Sequence, residues 1–101
     1  MGLIVQKFGG TSVKDRDRIF NVARIVANTR NQGNDVVVVV SAQGDTTDDL
    51  ITKAAEITSD PSHREMDMLL ATGEQISISL LAMALQEIGV PVSYTHLTLP
   101  T

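Results

Sequence analysis

Residues 3–13 read Leu-Ile-Val-Gln-Lys-Phe-Gly-Gly-Thr-Ser-Val, an apolar run that gives way to a glycine pair and then to two hydroxyl residues. The run over residues 3–8 predicts a β-strand. Gly9 and Gly10 follow directly, and they let the backbone turn sharply and approach a ligand with no β-carbon in the way. The stretch therefore predicts a strand that ends in a ligand-binding turn.

The residues on either side of the glycine pair predict an anion site. Thr11 or Ser12 caps the helix that follows, and the free N–H groups of its first turn lie at the positive end of the helix dipole. Lys7 adds a mobile positive charge beside them. Neither G-x-x-x-x-G-K-[ST] nor G-x-G-x-x-G occurs, so the pattern indicates a different phosphate-handling family.

Composition excludes several classes of function. The net charge of −4 with 8 Lys and Arg residues argues against a nucleic-acid partner, whose binding requires many phosphates to be neutralised. Cysteine is absent, which excludes a disulfide framework, a cysteine-ligated metal and a thiol nucleophile. The chain has no basic leader and no apolar run of the ~18 residues that a membrane helix needs. We therefore expect a cytoplasmic protein with no membrane partner.

A second strand is predicted over residues 36–40, an unbroken β-branched run that is typical of a strand buried on both faces of a parallel sheet. Between the two strands, Ile19, Val22 and Val26 recur at helical spacing, with Gly33 beyond the helix end. A strand, a helix and a strand make a βαβ unit, for which parallel pairing is expected.

Three capping-box patterns, each a hydroxyl residue followed three positions later by an acid or amide, predict further helix starts. They are Thr46 with Asp49, Ser62 with Glu65, and Thr72 with Gln75. Gly89 and Pro91 end the last of these helices.

The end of the chain differs from the rest. Residues 93–101 show no helix pattern, and their amino-acid sequence resembles the translation of a sequencing adapter that was read through. We interpret them as a non-native tail that is not part of the fold. The alternative is a genuine third strand with Tyr94, Leu97 and Leu99 half-buried.

Both predicted strands end in a polar, glycine-containing loop, and ligands bind at the carboxyl ends of strands in open parallel sheets. After the second strand, Ser41 offers a hydroxyl, Gly44 a close backbone approach, and Thr46 and Thr47 hydroxyls and N–H groups for a carboxylate or phosphate. Helix capping alone would explain Thr46, but it gives no reason for the polar run over residues 41–45. The two loops are therefore candidates for one site.

Three motifs resemble the N-terminal part of aspartate kinases, in the amino-acid kinase superfamily. They are KFGGTSV (residues 7–13), VVVSAQGDTTDDL (residues 38–50) and MDMLLATGEQISISLLAMAL (residues 66–85). The resemblance covers residues 1–92. It implies an α/β fold, a three-layer α/β/α arrangement with a mainly parallel sheet, truncated before the catalytic domain is complete.

The resemblance also implies a reaction. ATP phosphorylates the side-chain carboxylate of L-aspartate to give 4-phospho-L-aspartate, with Mg²⁺ that accompanies the nucleotide and is not ligated by this segment. This is the first step towards lysine, threonine, methionine and, in bacteria, diaminopimelate. The full-length protein is expected to be a homo-oligomer, and the 101-residue chain to lack kinase activity, because adenine recognition lies further along in the family.

Site residues follow from the same resemblance. Lys7 is the catalytic residue that stabilises the transferring phosphoryl group, Thr47 holds the substrate carboxylate, and Glu74 receives its α-ammonium group. Without the resemblance, Glu74 is equally well explained as an acid in the first turn of a helix. The ATP-binding set is Lys7, Phe8, Gly9, Gly10 and Ser41, and the substrate-binding set is Asp45, Thr46, Thr47, Asp48 and Glu74.

Two other functions stay open at this point. One is a sister kinase of the same superfamily that acts on glutamate, carbamate or a nucleoside monophosphate. The other is a noncatalytic module that binds an anion or a nucleotide. With no His or Cys cluster, no protein-ligated transition metal is expected.

Overall fold

The computed structural model describes residues 2–93, which form a βαβ unit followed by two helices. The two strands pair in parallel, with Phe8 opposite Val40, so the predicted α/β class with a parallel sheet is confirmed. Except for Ser93, the predicted non-native tail lies outside the described residues. The elements are β1 (Leu3–Phe8), a 3₁₀ turn (Gly10–Val13), α1 (Arg16–Asn31), β2 (Asp35–Val40), α2 (Thr46–Ile57) and α3 (His63–Glu87).

The core lies between the sheet and the two longest helices, α1 and α3. Apolar side chains that recur at helical spacing on α1 meet a second apolar stripe on α3, and removing both from water drives the packing. The 3₁₀ turn and the end of β2 close this core. Its buried members are Val13, Ile19, Val22, Ala23, Val26, Val40, Leu81, Ala84, Leu85 and Val90.

The sheet has one covered and one open face. Val36 and Val38 face the helices, whereas Val5 is 63% exposed and Val37 and Val39 are each 46% exposed on the other side. Burial of β2 on both faces, predicted from its β-branched run, is therefore wrong for residues 2–93. The reason is that α1 and α3 both pack against the same face.

The start of α1 corrects the predicted helix cap. Neither Thr11 nor Ser12 caps this helix: its N-cap is Asp15, whose carboxylate accepts a hydrogen bond from the Arg18 N–H at 2.9 Å. The chain first makes a 3₁₀ turn that buries Val13 completely, and only then enters the helix. The dipole of α1 therefore starts well beyond the glycine pair.

The start of α2 differs from prediction too. Asp45 stands at the N-cap without a side-chain capping bond, and Thr46 is the first helical residue, with its N–H donating to the Gln43 carbonyl at 2.8 Å. The predicted capping box of Thr46 with Asp49 is therefore wrong. The turn at Gln43 already satisfies the backbone group that a cap would satisfy.

One long helix replaces the two helices predicted before Gly89. Ser62 does cap it, accepting from the Glu65 N–H at 3.3 Å, as predicted. The predicted second start at Thr72 is wrong, because the Thr72 hydroxyl donates to the Leu69 carbonyl at 2.6 Å inside a continuous helix. A threonine can satisfy its hydroxyl in this way on the preceding turn.

By length and composition, α3 is apolar enough to cross a membrane, with a mean hydropathy of 1.5 in its best window, which corrects the expectation of no such run. A third of that window, 33%, is buried. Leu81, Ala84 and Leu85 of α3 lie in the core against α1 and β2. The core helix of a soluble protein passes the same test, so length and composition alone do not identify a membrane span.

Candidate functional site

Two loops meet at the carboxyl end of the sheet: the glycine loop (residues 9–13) and the β2–α2 loop (residues 41–45). The Ser41 N–H donates to the Phe8 carbonyl at 3.1 Å, and the Gly44 N–H donates to the Gly10 carbonyl at 3.0 Å. The Gln43 side-chain amide donates to the Val13 carbonyl at 2.9 Å. The structure thus brings the two predicted loops together as one surface.

The two glycines of the pair have different surroundings. A β-carbon on Gly10 would lie 2.5 Å from the Ala42 carbonyl oxygen and 3.2 Å from the Gly44 nitrogen, so Gly10 lets the two loops approach. A β-carbon on Gly9 would meet no other atom of residues 2–93 within 4 Å, and the φ of −77° at Gly9 is open to any residue. Neither protein contacts nor backbone strain explain Gly9, which leaves open space above its backbone.

Lys7 and Phe8 end β1 on opposite faces of the sheet. Lys7 is exposed on the open face, in register with Val39, and it forms no ion pair with any acid in residues 2–93. The side chain of Phe8 packs against the core instead. Of these two members of the predicted ATP-binding set, Lys7 therefore offers its ammonium group and Phe8 its backbone.

The first turn of α2 holds the predicted substrate residues. Thr47 and Asp48 are exposed there, and their N–H groups lack intrahelical partners, as in every first helical turn. Asp48 and Asp49 add two carboxylates to this turn. They interact favourably with the positive end of the helix dipole, and they repel any further anion that binds there. The turn can therefore accept one carboxylate through N–H and hydroxyl groups, at a cost in repulsion.

Gly73, the neighbour of Glu74 in α3, lies against the β2–α2 loop and the start of α2. A β-carbon on Gly73 would lie 2.9 Å from the Ala42 β-carbon and 3.3 Å from the Thr46 methyl carbon, so α3 touches the start of α2. Glu74 is exposed one residue further on, in the interior of α3. The alternative explanation of Glu74 as a first-turn acid is therefore wrong, since the first turn contains Glu65.

Sequence reasoning missed Lys14. Its side chain lies across Gly44, with Cγ 3.2 Å from the position of a β-carbon there. Gly44 has a φ of +41° and is covered on this side, so its open backbone is not available to a ligand from that direction as predicted. Lys14 adds a second exposed cation beside the glycine loop. The sequence signal that could have identified Lys14 is its position shortly after the glycine pair.

A shallow depression of about 300 Å³ lies beside the glycine loop. Polar groups from the loop and from α1 line it together with apolar side chains; they come from Phe8, Thr11, Ser12, Arg18, Asn21, Val22 and Ile25. Its volume is at the lower limit for a ligand pocket. Within residues 2–93, no three His, Cys, Asp or Glu side chains cluster closely enough to hold a metal ion.

Known proteins are similar to this chain in sequence and in fold. Residues 2–99 match the model of the amino acid kinase family. The aspartokinase of Bacillus sp. (strain MGA3) is 64% identical over 96 residues, and aspartokinase 2 of Bacillus subtilis (strain 168) is 60% identical over 96 residues. The crystal structure of aspartate kinase from Synechocystis matches with a TM-score of 0.88 at 57% identity.

These matches cover most of this chain but a minor part of the relatives. The alignments span 94% of the chain against 23% and 24% of the two Bacillus proteins, and 90% against 16% of the Synechocystis chain. The chain thus spans about a quarter of the length of these curated relatives. The structural match confirms the predicted fold class, and the family match covers nearly every residue: the chain belongs to the amino acid kinase family.

Proposed function

We propose that this chain is the N-terminal part of the catalytic domain of an aspartate kinase, which transfers the γ-phosphoryl group of ATP to the side-chain carboxylate of L-aspartate. The products are 4-phospho-L-aspartate and ADP. Aspartokinases that are 54–64% identical over most of the chain support this proposal. The observation that carries it is the contact of Gly73 in α3 with Ala42 and Thr46 at the start of α2. Glu74 and Thr47 are the next residues along the two helices.

The phosphates of ATP lie over the glycine loop in this proposal. Gly9 provides the unfilled space and an N–H group, and Lys7 is the cation for the transferring phosphoryl group. The Phe8 backbone, Gly10 and the Ser41 hydroxyl complete the ATP-binding set. Such a site suits phosphoryl transfer, which depends on positioning and charge neutralisation and requires little covalent chemistry from the protein.

In this proposal Mg²⁺ accompanies ATP and is not ligated by side chains of this segment. The described residues offer no cluster of acids that would hold the ion alone, whereas Mg²⁺ is commonly held by one or two carboxylates together with substrate phosphates. When bound, it neutralises charge on the phosphate oxygens. Lys7 then acts on the same charge from the protein side.

The amino-acid substrate lies over the surface where α3 meets the start of α2. The Glu74 carboxylate binds the α-ammonium group, and the hydroxyl and N–H of Thr47 with the N–H of Asp48 bind the α-carboxylate. Asp45 and Thr46 shape this turn. With both charged ends of the amino acid held, its side-chain carboxylate is free to face the phosphate over the glycine loop.

The same proposal places the protein in the cytoplasm, at the first step of lysine, threonine and methionine biosynthesis and, in bacteria, of the route to diaminopimelate. ATP and L-aspartate are its small-molecule partners. The complete protein is a homo-oligomer that binds neither nucleic acid nor membrane. The low count of basic residues, 8 in 101, agrees with the absence of a nucleic-acid partner.

A chimera tests the proposal. Residues 1–92 replace the matching segment of the Bacillus subtilis aspartokinase 2, which is 60% identical, and aspartate-dependent ADP release is measured. We expect turnover comparable to that of the parent enzyme. Lys7→Ala should lower kcat by about 100-fold or more, the usual cost of removing a group that stabilises transition-state charge.

Lys53→Ala is the matched control, because Lys53 is an exposed lysine on α2 outside both binding sets, and it should leave kcat unchanged. A chimera that folds but has no turnover would contradict the proposal, as would full activity of the Lys7→Ala variant. Preference for glutamate over aspartate would instead identify the sister kinase. The 101-residue chain alone is expected to show no turnover.

A further inference from the structure

Gly73 is unusual because it lies in the interior of α3, where glycine is less favourable than alanine by about 1 kcal/mol. Its backbone conformation does not require glycine, since the glycines with positive φ within residues 2–93 are Gly33, Gly44 and Gly89. A helical residue with a β-carbon would adopt the same conformation. The reason for glycine must therefore lie in the contact that it makes.

That contact is with the β2–α2 loop and the start of α2. Gly73 is buried, and a β-carbon there would lie 2.9 Å from the Ala42 β-carbon, closer than real β-carbons approach. It would also lie 3.3 Å from the Thr46 methyl carbon and 3.5 Å from a Leu50 methyl carbon. The missing side chain lets α3 approach this segment more closely than any other residue would permit.

Two residues of the proposed substrate site lie next to this contact along the chain. Glu74 follows Gly73 on α3, and Thr47 follows Thr46 on α2, so each lies one residue from the contact. Because a helix is rigid over one turn, any outward shift of α3 at Gly73 moves the Glu74 backbone with it and changes its separation from Thr47. The separation of the two groups thus depends on the absence of one methyl group.

We propose that Gly73 is a positioning residue that sets the spacing between Glu74 and Thr47, and so the affinity for the amino-acid substrate, without touching that substrate. The proposal rests on the proposed function for its kinetic consequence. Its structural content is independent of that function. Gly73 meets the β-carbon of Ala42, whereas the glycine loop meets the Ala42 carbonyl oxygen, so the effect on ATP binding is expected to be smaller than the effect on the amino-acid substrate.

The test is Gly73→Ala in the chimera, followed by rescue with Ala42→Gly. The first change should raise KM for aspartate by about tenfold, since even a 1 Å misplacement can cost about 100-fold, and should leave KM for ATP within about twofold. The double variant lacks the opposing β-carbon and should recover most of the loss. Ala42→Gly alone is the control for the loop itself.

A role confined to helix structure predicts a different result. Gly73→Ala would then raise the melting temperature through helix propensity, or lower it through the clash, while KM for aspartate stays unchanged. Either result would overturn the proposal, as would equal increases in both KM values or a loss that Ala42→Gly does not reverse. An expected change in KM that Ala42→Gly reverses supports it.

If the unsubstituted chimera has no turnover, the proposed function fails and the spacing is tested directly. Amide chemical shifts of residues 44–47 in the 101-residue chain, which are not adjacent to position 42, are then compared between Gly73→Ala and the double variant, with the unsubstituted chain and Ala42→Gly as references. Displaced signals that return with Ala42→Gly support the positioning role of Gly73. Signals that stay in place, or that stay displaced in the double variant, overturn it.

Discussion

The carbonyl oxygen of Ala42 lies 2.5 Å from the position that a β-carbon on Gly10 would occupy. The Gly44 N–H donates to the Gly10 carbonyl at 3.0 Å on the same side. Both contacts are with backbone atoms, which cannot rotate aside as a flexible side chain would. Gly10 is therefore required for the two loops to pack, whereas no such contact within residues 2–93 explains Gly9.

Gly10→Ala should destabilise the fold. The new methyl group meets the Ala42 carbonyl, and overpacking of this kind costs about 1–3 kcal/mol. The free energy of unfolding of the 101-residue chain, from urea titration followed by circular dichroism, measures this loss. A change below about 0.5 kcal/mol, the range of ordinary surface substitutions, would show that the loops separate without cost.

Gly9→Ala should leave the stability of the fold intact and weaken ATP binding instead. In the part of the chain that the structure describes, no atom lies within 4 Å of the added methyl group, and φ is −77°, so the free energy of unfolding should stay the same or rise by about 0.4–1 kcal/mol. In the chimera, the methyl group enters the space assigned to phosphate, and KM for ATP should rise. Normal ATP kinetics in this variant would place the phosphates elsewhere.

The sequence predicted the strands, their parallel pairing and the meeting of the two loops, because β-branched runs and glycine turns are local signals. It predicted the cap of α3 at Ser62, but it missed the start of α1 at Asp15, after the turn that buries Val13, and the continuity of α3 through Thr72. It also missed Lys14 over Gly44. These features depend on contacts between segments distant in sequence or on burial, which a capping pattern does not contain.

Asp15→Ala should destabilise α1 by about 1 kcal/mol, the usual cost of losing an N-cap. The Asp15 carboxylate accepts from the Arg18 N–H at 2.9 Å, and removing it leaves that N–H without a side-chain partner. Thr11→Ala is the matched control, because Thr11 is, with Ser12, one of the two caps predicted from sequence and makes no capping bond in the structure. Urea titration of both variants measures the difference, and equal stabilities would restore Thr11 as the cap.

Gln43→Glu should separate the glycine loop from the β2–α2 loop. The Gln43 amide donates to the Val13 carbonyl at 2.9 Å, and a carboxylate of the same shape has no proton to donate at neutral pH. Because Val13 is fully buried, the loss should cost about 1–3 kcal/mol of unfolding free energy. Gln86→Glu, an exposed position on α3, makes the same change of charge and should cost less than about 0.5 kcal/mol. Equal effects from the two substitutions would mean that net charge, rather than this hydrogen bond, controls the stability of the loops.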